Sequence, residues 1–152
     1  MPDTVDTIRD TCRTILHNQH DRWRNVVNGL NAEALNWKPG DETNSIAVLL
    51  SHGLDAERFC VANSVDVTLD RDREAKFRTQ VSSADDLLSV IDESEREIDG
   101  YLDRMTADSL SAEVTRGDRT RTGAWWVLHS LEHSCEHAGQ AELTRQLWEH
   151  RG

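Results

Sequence analysis

The last part of the chain contains three histidines spaced four residues apart, within the segment WWVLHSLEHSCEHAGQAELTRQLW. They are His129, His133 and His137. On an α-helix, residues i and i+4 lie about 6 Å apart on one face, so two neighbouring imidazoles can reach one metal ion. A histidine at i+8 lies two turns away and cannot share that ion without distortion. The spacing therefore predicts a metal site with at least one ligand from elsewhere in the chain.

A second helical segment contains a candidate for that further ligand. His52 lies inside the largely apolar run IAVLLSHGLDAERF, between the small residues Ser51 and Gly53. An imidazole on a core-facing helix needs a partner for its polar nitrogens, and a metal ion shared with the last helix would be one. A packed or solvated histidine is the alternative interpretation of each of these residues, because short motifs often match by chance.

Two other metal-site patterns fit the sequence less well. His129, Glu132 and His133 form HxxEH, the inverted zinc-protease signature, but such proteases are normally much larger and have a distant acidic ligand. A di-iron carboxylate bundle requires two Glu-x-x-His pairs. No glutamate in the sequence is followed three residues later by a histidine, which excludes that kind of centre.

Four amphipathic stretches must position the histidines. In each stretch apolar residues recur at steps of three and four, with charged residues between them. The predicted helices span about residues 4–30, 45–63, 83–105 and 122–149. Ser83 and Asp86 resemble a capping box at the third helix. The segment 106–122 is polar and predicted to be irregular, and VDVTL and SAEVTR are the only candidate strands. We predict an all-α fold, a four-helix bundle formed by a single domain of residues 1–152.

Composition and charge limit the partners that the chain can have. The net charge is −11 and only two residues are lysines, which disfavours binding to nucleic acid. No apolar run approaches about 18 residues, and MPDTVDTIRD lacks a basic region followed by an apolar stretch. We therefore expect a cytoplasmic protein without a membrane or nucleic-acid partner. The distant cysteines Cys12, Cys60 and Cys135 predict reduced thiols, with Cys60 and Cys135 in the core.

Two segments resemble motifs of the DinB/YfiT-like family of metal-binding four-helix proteins. NWKPGDETNSIAVLLSHGLDAE is similar to the family's Trp-x-Pro turn, its Asn-Ser-Ile-Ala helix start and the histidine that follows. HSLEHSCEHAGQAELTRQLW is similar to its final helix, where a His-x-x-x-His pair precedes Gly-Gln. The resemblance implies that the metal ligands are His52, His133 and His137. Glu136 replaces a histidine that many relatives have, at a position that is not a ligand.

The same resemblance implies an assembly and an activity. It implies a bundle with a long crossover connection, and a homodimer. Members with known activity resemble thiol transferases and isomerases that use a low-molecular-weight thiol, and many others have no assigned activity. We therefore predict a divalent metal ion, zinc or nickel before iron, that activates a thiol towards a small-molecule substrate. The alternatives are a non-catalytic metal-binding or stress-related protein, or a metal-dependent hydrolase.

Other polar residues near the motifs have less specific patterns. If it is functional, His129 would be a proton carrier or a group that interacts with the metal ligands, although a packed or solvated imidazole is the simpler interpretation. Arg116, Arg119 and Arg121 cluster just before the last helix. Their guanidinium groups could hold an acidic cofactor, but a solvated loop is the favoured interpretation. Asp55 could approach the site, and a polar helix face explains it equally.

Overall fold

The computed structural model of the protein describes residues 3–151, and four long helices dominate it. The long helices are α1 (Thr4–Val27), α3 (Ile46–Ser64), α5 (Ala84–Leu102) and α7 (Gly123–Glu149). The connections contain the short helices α2 (Ala32–Asn36), α4 (Arg73–Lys76) and α6 (Ala107–Ser111), and the strands β1 (Glu113–Arg116) and β2 (Arg119–Thr122). The predicted domain also includes Met1, Pro2 and Gly152, which lie outside the described residues.

The long helices pack as a four-membered ring. Helices α1 and α3 each pack against both α5 and α7. Consequently α1 lies diagonally opposite α3, and α5 lies diagonally opposite α7. The connections 28–45 and 103–122 therefore each cross the bundle from one corner to the opposite one. The all-α four-helix bundle with a long crossover is confirmed, and α3 lies beside α7, the two helices that contain the predicted ligands.

Side-chain caps fix the starts of three of these helices. Ser45 Oγ accepts a backbone N–H of the first turn of α3 at 3.2 Å, and Thr122 Oγ1 does the same for α7 at 3.2 Å. The capping box of Ser83 and Asp86 at α5 is confirmed. Each cap satisfies a backbone donor that has no partner within the helix, which stabilises that helix end by about 1 kcal/mol.

The connection between α5 and α7 is more regular than its polar sequence predicts. Strands β1 and β2 pair antiparallel around a turn at Gly117, whose φ of +60° favours glycine. SAEVTR thus includes β1, whereas VDVTL forms no strand, and the prediction of an irregular segment is wrong here. A Cβ at Gly123 would lie 2.1 Å from the carbonyl oxygen of Ser109, so glycine is required where α7 begins against α6.

Most of the bundle interior is apolar, and no helix among residues 3–151 is long and apolar enough to cross a membrane. Cys12 and Cys60 are buried as free thiols, but Cys135 is exposed on the outer face of α7. The prediction that Cys135 fills the core is therefore wrong. The largest fully buried apolar side chains are Trp23, Leu16, Leu35, Ile46, Leu50, Leu54, Leu87, Ile91, Ile98 and Leu102.

Candidate metal centre

The three predicted ligands come together between α3 and α7. The ring centroid of His52 lies 5.2 Å from that of His133 and 5.0 Å from that of His137. One ligand atom from each of the three residues lies within 4.8 Å of the others. The Nε2 atoms of His133 and His137 are 3.2 Å apart, close to the roughly 3.3 Å that separates two nitrogen ligands on a tetrahedral ion with bonds of about 2.0–2.1 Å. This group can hold one metal ion.

A glycine next to His52 allows the helices to approach each other. A Cβ at Gly53 would lie 3.2 Å from Cζ2 of Trp23 and 3.5 Å from Cβ of His137. A Cβ here would therefore be crowded against Trp23 of α1, whereas its distance from His137 of α7 is that of an ordinary van der Waals contact. On another side, Phe77 packs against His52 with 4.4 Å between ring centroids. Close helix packing and one aromatic contact thus fix the position of the His52 ring.

The hydrogen bonding of these rings differs from that of an ordinary buried histidine. Within residues 3–151, Nδ1 of His52 and Nδ1 of His133 are buried without a hydrogen-bond partner. His137 is better satisfied, with Nδ1 2.8 Å from Oε1 of Gln140. By contrast, both ring nitrogens of the fully buried His20 contact carboxylates. Burying an imidazole nitrogen without a partner is costly, and within the described part of the chain His52 and His133 lack the hydrogen bonds that hold an ordinary packed histidine such as His20.

The site also favours the protonation state that metal binding requires. Burial, followed by the charge of neighbouring His137, lowers the pKa of His52 to about 4. The same two causes lower the pKa of His133 to about 3. The guanidinium of Arg71 adds to both effects. Both rings are therefore neutral at pH 7, and only a neutral imidazole can coordinate a metal ion.

A buried polar network lies directly behind the ligands and had no clear signal in the sequence. Glu57 and His20 are both fully buried, and Oε1 of Glu57 lies 2.6 Å from Nε2 of His20. Ser134 donates to the other carboxylate oxygen at 2.5 Å, and Glu95 contacts Nδ1 of His20 at 3.0 Å. Burial lowers the pKa of His20, but the two carboxylates outweigh burial and raise it. The network ties α1, α3, α5 and α7 together one residue from His133.

An open cavity of about 410 Å³ adjoins the histidines. His52 and His133 form part of its wall, together with apolar side chains and four arginines. A pocket of this size admits a small molecule. The lining residues are His52, Ala56, Phe59, Cys60, Arg71, Arg73, Arg116, Asp118, Arg119, Trp126, His129 and His133.

The arginine cluster predicted from the sequence is divided by the fold. Arg116, which is half-buried, and Arg119, which is exposed, both line the cavity. Arg121 instead lies over the ring of Trp125, 5.3 Å from its centroid. Arg71 and Arg73 join the cavity from the segment after α3, where the sequence showed no pattern that singled them out. Asp55 does not join the histidines, because its carboxylate pairs with Arg71.

His129 lies beside the group of His52, His133 and His137 but does not join it. Its ring stacks on Trp125 at 4.5 Å and lines the cavity, while its Nδ1 lies 3.3 Å from Oε2 of Glu132. The ligand atoms that converge belong to His52, His133 and His137. Because Glu132 is exposed and contacts His129, the HxxEH segment does not form an inverted-protease site.

Comparison with known proteins agrees with this architecture. A conserved protein from Enterococcus faecalis superposes with a TM-score of 0.75 at 16% identity, covering 91% of this chain and 95% of that one. A DinB-like protein from Bacillus subtilis gives 0.71 at 16% identity, covering 93% of each chain. A DinB-like protein from Bacillus cereus gives 0.69 at 12% identity, covering 89% and 91%. These similarities concern the fold.

Sequence comparison identifies the family. No protein of curated function matches the chain significantly. The DinB superfamily profile, in contrast, matches residues 15–141, which include most of α1 and all three histidines. The chain therefore belongs to the DinB superfamily.

Proposed function

We propose that the protein is a metal-dependent enzyme that binds one divalent ion through His52, His133 and His137 and activates a small thiol towards an electrophilic substrate. The observation that carries this proposal is the convergence of three imidazoles, two of which, His52 and His133, have strongly lowered pKa values and line an open cavity. Metal binding is a general property of the superfamily. The thiol is supported by the sequence resemblance to thiol transferases and isomerases.

The donor set suits zinc or nickel, and iron is a further candidate. Three imidazoles leave one position of a four-coordinate ion for a ligand from outside. Among residues 3–151 no carboxylate or thiol joins the three histidines. Cys60 lines the cavity, but burial raises the pKa of its thiol to about 12, so it remains protonated. The reacting thiol must therefore come from a second molecule.

When bound, the ion supplies a Lewis acid that lowers the pKa of a thiol in the cavity. The neutral rings of His52 and His133 are ready to coordinate without first losing a proton. His129 lines the cavity one turn before His133, and its Nε2 makes no hydrogen bond within residues 3–151. That nitrogen can accept the proton that the thiol loses. Phe59 and Trp126 provide the apolar part of the wall.

We also propose that the protein is a cytoplasmic homodimer, as the resemblance implies. Leu143 and Leu147 lie one turn apart on α7, with 55% and 45% of their surface exposed. Together with Leu49 and Pro39 they form the apolar part of a groove that polar residues also line. Burying such leucines against a second copy would be favourable. Light scattering should give twice the monomer mass, and a monomer at micromolar concentration would contradict the dimer.

Cobalt substitution tests the thiol proposal directly. Sulfur ligation to cobalt gives an intense charge-transfer band near the ultraviolet, and we expect 2-mercaptoethanol to generate it in the cobalt-loaded protein. His133→Ala should abolish the band, whereas His150→Ala, at an exposed position near the C-terminus, should retain it. The loaded protein should also accelerate conjugation of the thiol to an aromatic chloride. Full cobalt occupancy without a spectral change for any small thiol would contradict thiol activation.

A further inference from the structure

We propose that the cavity binds a small organic carboxylate, whose negative group is held by Arg71 and Arg119 while its other end faces His52 and His133. This inference rests on the proposed function, because it names the chemical class of molecule that the same site accepts. It differs from that proposal in the residues involved, since neither arginine is a metal ligand.

The cavity is rich in arginine although the chain as a whole is acidic. The protein has a net charge of −11 and 17 basic residues in all, yet four arginines line one cavity. His52 and His133 belong to the same wall. A single molecule in the cavity can therefore contact guanidinium groups at one end and the histidines at the other. The volume of about 410 Å³ limits that molecule to a small metabolite.

The arginines differ in how many of their donors are already used. Arg116 is held by three hydrogen bonds of 2.9 Å, one from each guanidinium nitrogen. Arg71 uses Nε to bind Asp55 at 2.5 Å, and its two Nη groups make no hydrogen bond within residues 3–151. The guanidinium group of Arg119 makes no hydrogen bond within residues 3–151. The planar guanidinium fork matches a carboxylate, so Arg71 and Arg119 are the two groups prepared to bind one.

The charge balance of the wall favours a carboxylate over a phosphate. The four arginines are matched by Asp118, which lines the cavity, and by the carboxylates that pair with three of them, namely Asp55, Asp66 and Glu74. A divalent ion would therefore add two uncompensated positive charges. One carboxylate together with one ionised donor would balance them. A phosphate carries about −1.5 to −2 by itself at pH 7, so adding an ionised donor would exceed that charge.

Chemical protection of individual arginines tests the proposal without relying on turnover. Phenylglyoxal modification is followed by peptide mass spectrometry on zinc-loaded and metal-free protein, with succinate as the probe and neutral succinamide as its matched control. We expect saturating succinate to slow modification of Arg119 about tenfold, as for a charge-assisted hydrogen bond. Arg121, in the same hairpin but outside the cavity wall, should be unprotected. Arg119→Gln should weaken the protection of Arg71 by succinate by about the same factor.

Each outcome decides for or against the carboxylate site. Equal modification of Arg119 with and without succinate in the zinc-loaded protein would overturn it. Protection by inorganic phosphate as strong as that by succinate would overturn the assignment to a carboxylate. Protection by succinate in a protein that gives no cobalt–thiol band would support the carboxylate site while contradicting the thiol reaction. The two proposals can therefore fail separately.

Discussion

Lowering the pH should destabilise the metal-free protein well before its carboxylates are protonated. The pKa values of His52 and His133 in the folded protein, about 4 and about 3, lie below the ordinary value of 6.5. Between pH 6.5 and about 4, the unfolded chain therefore binds protons at these histidines that the folded chain does not bind. The free energy of unfolding must fall as the pH falls through that window.

The size of the effect follows from the two pKa values. Between pH 6 and pH 5 each histidine lowers the free energy of unfolding by about 1.2 kcal/mol, so both together lower it by about 2 kcal/mol. His20 does not add to this loss of stability. Its pKa is raised in the folded protein, so its contribution to the free energy of unfolding is fully present below pH 6.5 and stays constant as the pH falls further. Glu95 and Glu142 have lowered pKa values, and their contributions are lost only below about pH 4.5.

Urea unfolding followed by circular dichroism, in the presence of a chelator, measures this dependence. We expect His52→Gln to halve the loss of stability between pH 6 and pH 5. His150→Gln, at an exposed position, should leave the loss unchanged. A wild-type stability that stays constant across this interval, or a loss that His52→Gln does not reduce, would show that these rings are not buried as neutral groups.

Two further predictions concern packing and thiol exposure. Gly53→Ala should weaken zinc binding, because its Cβ would lie 3.2 Å from Trp23 and shift the part of α3 that carries His52. Gly100→Ala, where a Cβ meets nothing within 4 Å, should stabilise the fold by up to about 1 kcal/mol with unchanged zinc affinity. Equal effects of both substitutions on a chelator competition assay would refute the packing role. A disulfide reagent should modify the exposed Cys135 at once and Cys60, with its raised pKa, only on unfolding. Rapid modification of two thiols in the native protein would contradict this.

The group of three histidines was predictable largely because the pattern of His133 and His137 is local. His133 and His137 lie one helical turn apart, and a turn of α-helix brings such a pair together wherever the helix packs. His52 was indicated by its place within an apolar run, since a buried imidazole needs a partner. The sequence resemblance then selected His137 rather than His129 as the second ligand of α7. The structure brings together the predicted group, with His129 one turn outside it.

The residues that line the cavity and surround the histidines were not predictable, because their positions depend on contacts between parts of the chain that are distant in sequence. Arg71 lies in the connection after α3 and Arg73 begins the short helix α4, and only the fold brings this part of the chain against His52. Glu57 resembles any polar residue of an amphipathic helix, and its burial depends on partners 37 and 77 residues away in the sequence. For Cys135 the sequence predicted burial, but the structure shows an exposed side chain. A small apolar residue on α7 was expected inside, but its angular position directs it outwards.

The most direct test of the account is the affinity of the protein for zinc when one ligand is removed. Competition with a chromophoric chelator should give one zinc per chain in the wild type. His52→Ala should weaken binding by more than about 100-fold, because loss of a hydrogen-bond partner outside the ligands alone typically costs about 10- to 100-fold. His129→Ala, one turn from the site, should bind zinc like the wild type. Unchanged tight binding in His52→Ala, or a loss in His129→Ala as large as in His52→Ala, would contradict the assignment of His52, His133 and His137 as the metal ligands.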